Sequence, residues 1–396
     1  MAVVLAATAL ARDDNDNGHG GNGGRRRTCM IPHKDGDTSD AIMSTFKKCS
    51  QHSRVVFNKN FNYMVHQPMN ISGLNDVHIS IQGNVTFDDS NITWWQENIF
   101  LLNFQSAGTW FVIGGDDIRV DGGGTVNGQG QAWWDIKAKD PRPVTMTFDN
   151  VNNLHVSDIW VIQSPFWHIV VRNANGAVFT NMNIWSQSNS SFPEANSDGW
   201  DILASTGVVI KDPVIANHDD CVSFKYNTTN TLIENVDCTG SNGSLGQYAR
   251  DGQIDAVTDI VVRNVTCRDC SNGARIKTWA GGKGIVENVT FTNMEVTNTA
   301  NPIIITTHYC DVNQMDFCVG SDDASLTIRN ITFDNIFGSA SEAGNPIVKM
   351  NCSINTPCSD ITLTNIDIEP ASNTIENVCE HVTGAEDIPY CPQYQL

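Results

Sequence analysis

The sequence lacks any apolar run approaching the ~20 residues that a membrane-spanning helix needs, so we expect no membrane partner. Basic residues are also scarce, because 24 Lys and Arg stand against 44 Asp and Glu and leave a formal net charge of −20. Such an acidic surface repels polyanions at long range, which argues against a nucleic-acid partner. An anionic substrate would therefore need a local basic contact.

Helical patterns are rare as well, whereas 31 Gly and many Asn, Thr, Val and Ile favour strands and turns. From residue 75 onward, short β-branched segments alternate with Asn, Gly and Asp turns. An apolar-x-polar-apolar signature recurs in steps of 23, 31, 23, 29, 24, 42 and 35 residues around Asp158, Asn181, Asp212, Asn235, Asn264, Asn288, Asn330 and Asn365. These steps indicate stacked coils with loops inserted at particular corners, and we expect the asparagines to stack as an internal ladder.

Two other repeat folds fit less well. A β-propeller needs blades of about 40 residues with their own signature, and a leucine-rich horseshoe needs regular leucines that are missing here. The sequence therefore predicts an all-β, right-handed parallel β-helix in which residues 28–396 form a single domain. A short amphipathic helix over residues 40–49 is expected to cap the first coil, since a solenoid must cover its open end.

The N-terminal residues resemble targeting and processing segments. Residues 1–11 (MAVVLAATALA) are similar to the latter part of a secretory signal, and residues 12–27 are Gly-, Asn- and Asp-rich and end in three arginines. We interpret residues 1–27 as a signal-like and low-complexity propeptide segment, with an ordinary floppy terminus as the alternative. The interpretation predicts a secreted, extracellular protein.

Glycosylation sequons and cysteines support secretion independently. Ten Asn-x-Ser/Thr sequons occur, at Asn70, Asn84, Asn91, Asn189, Asn227, Asn242, Asn264, Asn288, Asn330 and Asn351. Twelve cysteines form nearby pairs that predict disulfides: Cys29/Cys49, Cys221/Cys238, Cys267/Cys270, Cys310/Cys318, Cys352/Cys358 and Cys379/Cys391. A redox or metal motif is the alternative interpretation of Cys267/Cys270.

Polar residues recur at regular intervals within residues 196–277. Asp198, Asp220 and Asn242 are each 22 residues apart, which is close to one coil of a solenoid. Because stacked strands lie about 4.8 Å apart, this register would place the three residues on adjacent rungs of one sheet. The spacing predicts a site assembled from separated segments.

Aspartates in this region match the needs of glycoside hydrolysis. Asp198, Asp219 and Asp220 could supply a carboxylic acid that protonates the leaving oxygen and a carboxylate that activates water or attacks the sugar. Adjacent aspartates repel each other when both are ionised, so one of them can keep its proton and act as the acid. A simple turn is the alternative interpretation of Asp219-Asp220.

A basic pair follows further along the chain. Arg275-Ile276-Lys277 suits a strand whose two basic side chains emerge on one face, where they can grip a carboxylate. Structural neutralisation of the aspartates is the alternative role. Tyr309 lies about one longer coil further and could join the site.

Together, these residues resemble the glycoside hydrolase family 28 pectinases, the polygalacturonases. The resemblance rests on Asn196-Ser197-Asp198, Asp219-Asp220-Cys221, Gly240-Ser241-Asn242-Gly243 and Arg275-Ile276-Lys277, and residues 221–225, 243–248 and 272–277 are most similar to the fungal exo-acting branch. It implies inverting hydrolysis without metal or cofactor. In the roles it implies, Asp219 is the general acid, Asp198 and Asp220 activate the water, and Asn196, Arg275, Lys277 and Tyr309 bind the substrate.

One motif departs from the family pattern. The family has His where Asn242 stands, and about four residues are missing after Gly243. An amide cannot titrate near neutral pH, so the altered motif predicts reduced activity. His218, beside Asp219, is interpreted as a satisfied polar residue of a strand, with compensation for the missing imidazole as the alternative.

The leading functional hypothesis is an exo-polygalacturonase that releases galacturonic acid from α-1,4-galacturonan in pectin and acts as a monomer. Exo-hydrolysis of rhamnogalacturonan at galacturonate is an alternative within the fold. A pectin-binding pseudoenzyme is a second alternative, because the motif around Asn242 is altered. A calcium-dependent pectate lyase shares the solenoid but needs a basic proton abstractor, so paired carboxylates favour hydrolysis.

Overall fold

The computed structural model describes residues 26–240, 254–309 and 323–392. Most of the N-terminal segment 1–27 lies outside the described residues. So do Asn242, the altered motif that contains it, and the pair Cys310/Cys318.

Strands dominate the described chain and few helices interrupt them. The helices are α1 (Ser39–Lys48), α2 (Ile92–Asn98) and α3 (Gln131–Asp135), with a 3₁₀ turn at Ala385–Asp387. The strands are β1 (Arg27–Met30), β2 (Gln51–Phe57), β3 (Asn62–Val65), β4 (Met69–Ile81), β5 (Asn84–Phe87), β6 (Phe100–Leu101), β7 (Gly108–Thr109), β8 (Phe111–Asp121), β9 (Thr125–Asn127), β10 (Pro143–Val144), β11 (Met146–Ser157), β12 (Trp160–Ile162), β13 (Ile169–Arg172), β14 (Asn175–Thr180), β15 (Asn183–Trp185), β16 (Trp200–Leu203), β17 (Thr206–Lys211), β18 (Val214–Ala216), β19 (Val222–Phe224), β20 (Thr228–Thr239), β21 (Ile254–Arg268), β22 (Asn272–Trp279), β23 (Lys283–Thr299), β24 (Asn301–Tyr309), β25 (Thr327–Ala340), β26 (Val348–Asn351), β27 (Ser359–Glu369) and β28 (Val378–Glu380). None of the described helices is long and apolar enough to cross a membrane.

Successive coils stack in parallel, so each strand pairs with the equivalent strand of the next coil. Paired residues are 23 apart between β11 and β14, 31 apart between β14 and β17, and 42 apart between β23 and β25. Among the described strands, only β6 and β7 pair in an antiparallel manner. The predicted all-β parallel β-helix is confirmed, with insertions that lengthen particular coils.

The asparagine ladder is confirmed, but it is exposed rather than internal. Asn264 donates to Asn235 at 3.0 Å and Asn293 donates to Asn264 at 3.2 Å, and each residue has a positive φ that Asn tolerates well. Asn288 belongs to a second row, in which it donates to Asp259 at 2.9 Å. The predicted steps of 24 and 35 residues are therefore wrong, because they joined positions from two rows that run five residues apart.

Apolar side chains of successive coils fill the interior in stacks. Phe291 lies on Phe333 of the next coil with ring centroids 5.2 Å apart and planes nearly parallel. The predicted helix is confirmed as α1, whose buried Ile42 and Phe46 join the core, and Phe46 contacts Phe57 of β2. Five of the predicted disulfides are present: Cys29–Cys49, Cys221–Cys238, Cys267–Cys270, Cys352–Cys358 and Cys379–Cys391.

Candidate active site

Asp198 and Asp220 stand just before two stacked strands, β16 and β19. Trp200 of β16 pairs with Val222 of β19, so the segments that precede these strands lie side by side. The backbone N–H of Gly199 donates to the carbonyl oxygen of Asp220 at 2.9 Å and ties the two segments together. The predicted adjacency of Asp198 and Asp220 on neighbouring coils is confirmed.

Three carboxylates meet at this point. One oxygen from each of Asp198, Asp219 and Asp220 lies within 4.8 Å of the other two. Asp198 and Asp220 are buried, whereas Asp219 is half-buried. Asp219 and Asp220 lie in a bend between β18 and β19, so the expected strand geometry is wrong, and the bend itself belongs to the site.

A second cluster of metal-ligand type, Cys238, Cys267 and Cys270, lies nearby. Its sulfurs are bonded in the disulfides Cys221–Cys238 and Cys267–Cys270, so it offers no thiolate to a metal. The metal interpretation of Cys267/Cys270 is therefore wrong. The three carboxylates are also close enough to share one cation, but a lysine ammonium occupies their neighbourhood.

That ammonium belongs to Lys277, whose Nζ lies 3.2 Å from Asp220 Oδ2. Arg275 and Lys277 project from the same face of β22, with buried Ile276 between them, as the sequence predicted. The Arg275 guanidinium carbon lies 5.5 Å and the Lys277 Nζ 5.1 Å from the centroid of the Tyr309 ring. The structure therefore places the Tyr309 ring beside both basic side chains, as the sequence predicted. Lys277 lies on this predicted binding face and also offsets the charge of Asp220.

Asn196 reaches Asp219, with its Nδ2 3.5 Å from Asp219 Oδ2. Its own side-chain oxygen accepts a 2.7 Å hydrogen bond from the guanidinium of Arg142. Arg142 is buried and also donates to the carbonyl oxygens of Ala195 at 2.8 Å and Pro165 at 3.3 Å. Sequence reasoning missed Arg142, which lies more than 50 residues from Ala195 and Asn196 and outside any motif.

Below Asp198 lies a buried ion pair that sequence reasoning did not identify. Lys225 Nζ lies 2.8 Å from Asp201 Oδ1, 4.0 Å from Asp198 Oδ2, and 5.0 Å from the centroid of the Trp167 ring. Burial raises the pKa of Asp201 to about 7, although Lys225 opposes that shift. Asp201 lies on β16, and Lys225 directly follows β19, the strand that pairs with β16.

Burial, reinforced by the nearby Asp219 and Asp201 carboxylates, raises the pKa of Asp198 well above its usual range. The surroundings of Asp198 therefore favour its protonated form before substrate binds. His168 supports the same segment, since its Nδ1 lies 2.9 Å from the carbonyl oxygen of Asp198 and its Nε2 2.9 Å from Ser186 Oγ. Burial lowers the pKa of His168 to about 4, so the ring is neutral in its packed position.

His218 does not lie on a strand, and its ring Nδ1 contacts Glu194 Oε1. The side chain of His218 is 59% exposed, whereas that of Glu194 is 3% exposed. The interpretation of His218 as a satisfied polar residue is right about its pairing and wrong about its place on a strand.

Comparisons with known proteins agree with this geometry. The sequence profile of the family described as Glycosyl hydrolases family 28 matches residues 49–387. An exopolygalacturonase of Rhizopus delemar is 39% identical over 365 residues, and the match covers 92% of this chain and 92% of the relative. An exopolygalacturonase of Cochliobolus carbonum is 38% identical over 392 residues, covering 93% of this chain and 87% of the relative.

Solved structures show the same architecture. The endo-xylogalacturonan hydrolase from Aspergillus tubingensis superposes with a TM-score of 0.79 at 23% identity, covering 92% of this chain and 98% of that protein. The polygalacturonase from Erwinia carotovora gives a TM-score of 0.71 at 18% identity, covering 90% of this chain and 96% of that protein. At these identities the likeness shows the fold alone, which is the right-handed parallel β-helix.

Proposed function

Because the chain belongs to glycosyl hydrolases family 28, we propose that its cluster of three aspartates hydrolyses galacturonan in pectin. The chain is a pectin-degrading glycoside hydrolase of the exo-polygalacturonase type. The observation that supports the proposed site is the meeting of the Asp198, Asp219 and Asp220 carboxylates within 4.8 Å, beside the ammonium of Lys277. Such a group can protonate a leaving oxygen and activate water at one place.

We assign the general-acid role to Asp219 and water activation to Asp198 and Asp220. Asp219 is the most exposed of the three, so it can reach a glycosidic oxygen in the cleft, whereas Asp198 and Asp220 are buried. The raised pKa of Asp198 does not contradict this assignment, because three interacting carboxyls share their protons, and substrate binding can move one to Asp219. Arg275 and Lys277 would bind the galacturonate carboxylate, and the Tyr309 ring beside them would complete that face. Asn196 would bind the substrate and also hold Asp219 in place.

A substrate with a good leaving group separates these roles. An aryl galacturonide with an acidic phenol needs little protonation, so Asp219→Asn should retain much of its activity on it while losing at least about a hundredfold on polygalacturonate. Asp198→Asn should lose activity on both substrates, because each needs an activated water. Equal losses for the two variants on both substrates would contradict the assignment.

Inversion at the anomeric carbon is carried over from the family resemblance. The carboxylate oxygens lie within 4.8 Å, closer than the about 6.5–9.5 Å usual between acid and base in inverting enzymes, so separation alone does not predict inversion. Proton NMR of the first product released decides the matter. Initial β-galacturonate would support inversion, and initial α-galacturonate would show retention.

The product profile on polygalacturonate tests the function as a whole. Purified protein should release galacturonate monomers from the start of the digest, and Asp219→Asn should release almost none. Early oligomers would indicate endo action. Release from rhamnogalacturonan alone would favour the alternative substrate, and binding without release from either polymer would favour the pseudoenzyme.

Further proposals concern the protein as a whole. We propose that residues 28–396 form one catalytic domain, that it acts as a monomer, and that it is secreted. The sequons, the disulfides and the relatives support secretion. Peptide mapping of protein from the culture medium and light scattering of the purified enzyme test these proposals.

A further inference from the structure

The contact between Glu194 and His218 lies beside Asp219 of the aspartate cluster and is not used by the mechanism above. Glu194 lies in the segment between β15 and β16 and is 2% exposed. One carboxylate oxygen accepts a 3.1 Å hydrogen bond from the backbone N–H of Ser188, and the other contacts His218 Nδ1. Within the described chain, the His218 ring is the side-chain partner found for this buried carboxylate.

The backbone fixes His218 beside the proposed general acid. Its N–H donates to Ser197 Oγ at 3.2 Å, and Ser197 Oγ donates to the carbonyl oxygen of Glu194 at 3.0 Å. The next residue is Asp219, whose carboxylate lies 3.5 Å from Asn196 Nδ2. Both the backbone N–H and the ring Nδ1 of His218 thus contact the segment that carries Asp198.

More than half of the His218 side chain remains exposed to solvent. Glu194 holds Nδ1, and 59% of the His218 side chain is exposed to solvent. A protonated imidazole carries an N–H on each nitrogen, so it can donate to Glu194 and to a second anion at the same time. Orientation of one nitrogen by a carboxylate is a common way to aim the other at a ligand.

The substrate offers two carboxylates near the bond that is cut, one on each flanking galacturonate. Arg275 and Lys277, on β22, account for one of them in the proposed function. His218 precedes β19 and so belongs to an earlier coil of the stack than β22. We propose that His218, oriented by Glu194, binds the carboxylate of the galacturonate on the other side of the scissile bond; this inference rests on the proposed function.

A purely structural clip between the two segments is the competing explanation. The two explanations differ in their response to charge on the substrate. A carboxylate-binding His218 discriminates between galacturonate and its methyl ester, whereas a clip affects both equally. His52 is a matched control, because its Nδ1 makes a 2.9 Å pair with Asp76 on a surface far along the stack and its side chain is 74% exposed.

The experiment measures binding without turnover. Trigalacturonate and its fully methyl-esterified form are titrated by calorimetry into Asp219→Asn, alone and combined with His218→Gln or His52→Gln. The His218→Gln combination should bind trigalacturonate about tenfold more weakly and the ester with less than about twofold change, since one charge-assisted hydrogen bond is lost. The His52→Gln combination should match Asp219→Asn for both ligands.

Glu194→Gln provides a second variant that leaves His218 in place but removes the carboxylate that orients it. It should weaken trigalacturonate binding by a few fold and spare the ester. In the active background, His218→Gln should raise KM on polygalacturonate about tenfold and change kcat by less than about threefold.

Unchanged affinity, or equal losses for acid and ester, would overturn the assignment of His218. An enzyme that releases no galacturonate, yet shows the ester-dependent loss, would refute the proposed hydrolysis and leave the assignment standing. Absence of all binding to trigalacturonate would overturn both.

Discussion

Lys225 and Asp201 form an ion pair of 2.8 Å in the interior, directly beneath the carboxylate of Asp198. Both side chains are almost fully shielded from water, at 4% and 0% exposed. The pair therefore places a positive charge within 4.0 Å of a proposed catalytic carboxylate from the side that substrate cannot reach. Because the pair is buried, removing either partner would leave the other without a counter-charge and would lower the stability of the folded protein.

Removal of that cation should be strongly destabilising. Lys225→Met leaves Asp201 as an uncompensated buried carboxyl, and we expect the free energy of unfolding to fall by about 3–5 kcal/mol. Lys211→Met is the control, since Lys211 pairs with Glu234 at 3.3 Å but is 44% exposed, and its loss should cost less than about 1 kcal/mol. Urea denaturation of the three proteins measures both values. Equal effects would show that the interior pair contributes no more than a surface pair.

Stability should depend on pH through Asp201. Its pKa of about 7 in the folded protein is above its ordinary value of 3.8, so the folded state retains a proton that the unfolded state loses between these values. The contribution of Asp201 is fully present below about pH 4 and is lost as the pH rises through 7. The difference in unfolding free energy between wild type and Asp201→Asn should therefore fall over this window, by roughly 4 kcal/mol at most.

The comparison with the variant is essential because His168 acts in the opposite direction. Its folded pKa of about 4 is below its ordinary 6.5, so its contribution is present above pH 6.5 and is lost as the pH falls. The wild-type curve contains both effects. A variant difference that is flat from pH 4 to pH 7 would contradict the raised pKa of Asp201.

Tyr309 should act through its ring rather than its hydroxyl. The cationic groups of Arg275 and Lys277 lie 5.5 and 5.1 Å from the ring centroid, so the ring positions both. Tyr309→Phe keeps the ring and should leave KM on polygalacturonate within about twofold, whereas Tyr309→Ala should raise KM about tenfold. A large effect of Tyr309→Phe would instead assign the hydroxyl a direct contact with substrate.

Arg142 should be a positioning residue that acts through Asn196. Its planar guanidinium holds Asn196 Oδ1 at 2.7 Å and the carbonyl oxygen of Ala195 at 2.8 Å, a fork that lysine cannot reproduce. Arg142→Lys should lower kcat by about tenfold to a hundredfold, with KM nearly unchanged, because Asp219 loses its support. Arg119→Lys, at a 47% exposed pair with Asp121, is the control and should have no effect on kcat. A parallel rise in KM would indicate a general distortion of the cleft.

The parts of the site that could be predicted are those that depend on register. The spacing of 22 residues between Asp198 and Asp220 is one coil, so it predicted their adjacency correctly. The strand period likewise predicted that Arg275 and Lys277 share one face. The ladder was harder, because polar turns recur twice in each coil, and Asn264 and Asn288 belong to different rows.

The missed residues act by burial, which local patterns do not reveal. A lysine that directly follows a strand, such as Lys225, usually indicates a solvent-exposed strand end. Lys225 is buried only because the complete coil folds around it. Glu194 and Arg142 lie in loops that do not follow the sequence repeat of the coils. Their contacts with His218 and Asn196 therefore depend on how those loops fold over the coil. Three-dimensional closure, rather than sequence spacing, determines this part of the site.

Coil lengths range from 22 residues to 45, yet the rows of turn asparagines and aspartates stay in register across short and long coils alike. Added residues are thus absorbed outside the stacked strands, and the frame that presents the aspartates does not shift. A gene encoding such a protein can gain or lose loop segments without retuning its catalytic geometry. New substrate preferences can therefore arise through changes in the inserted loops, while the catalytic residues on the stacked coils stay in place.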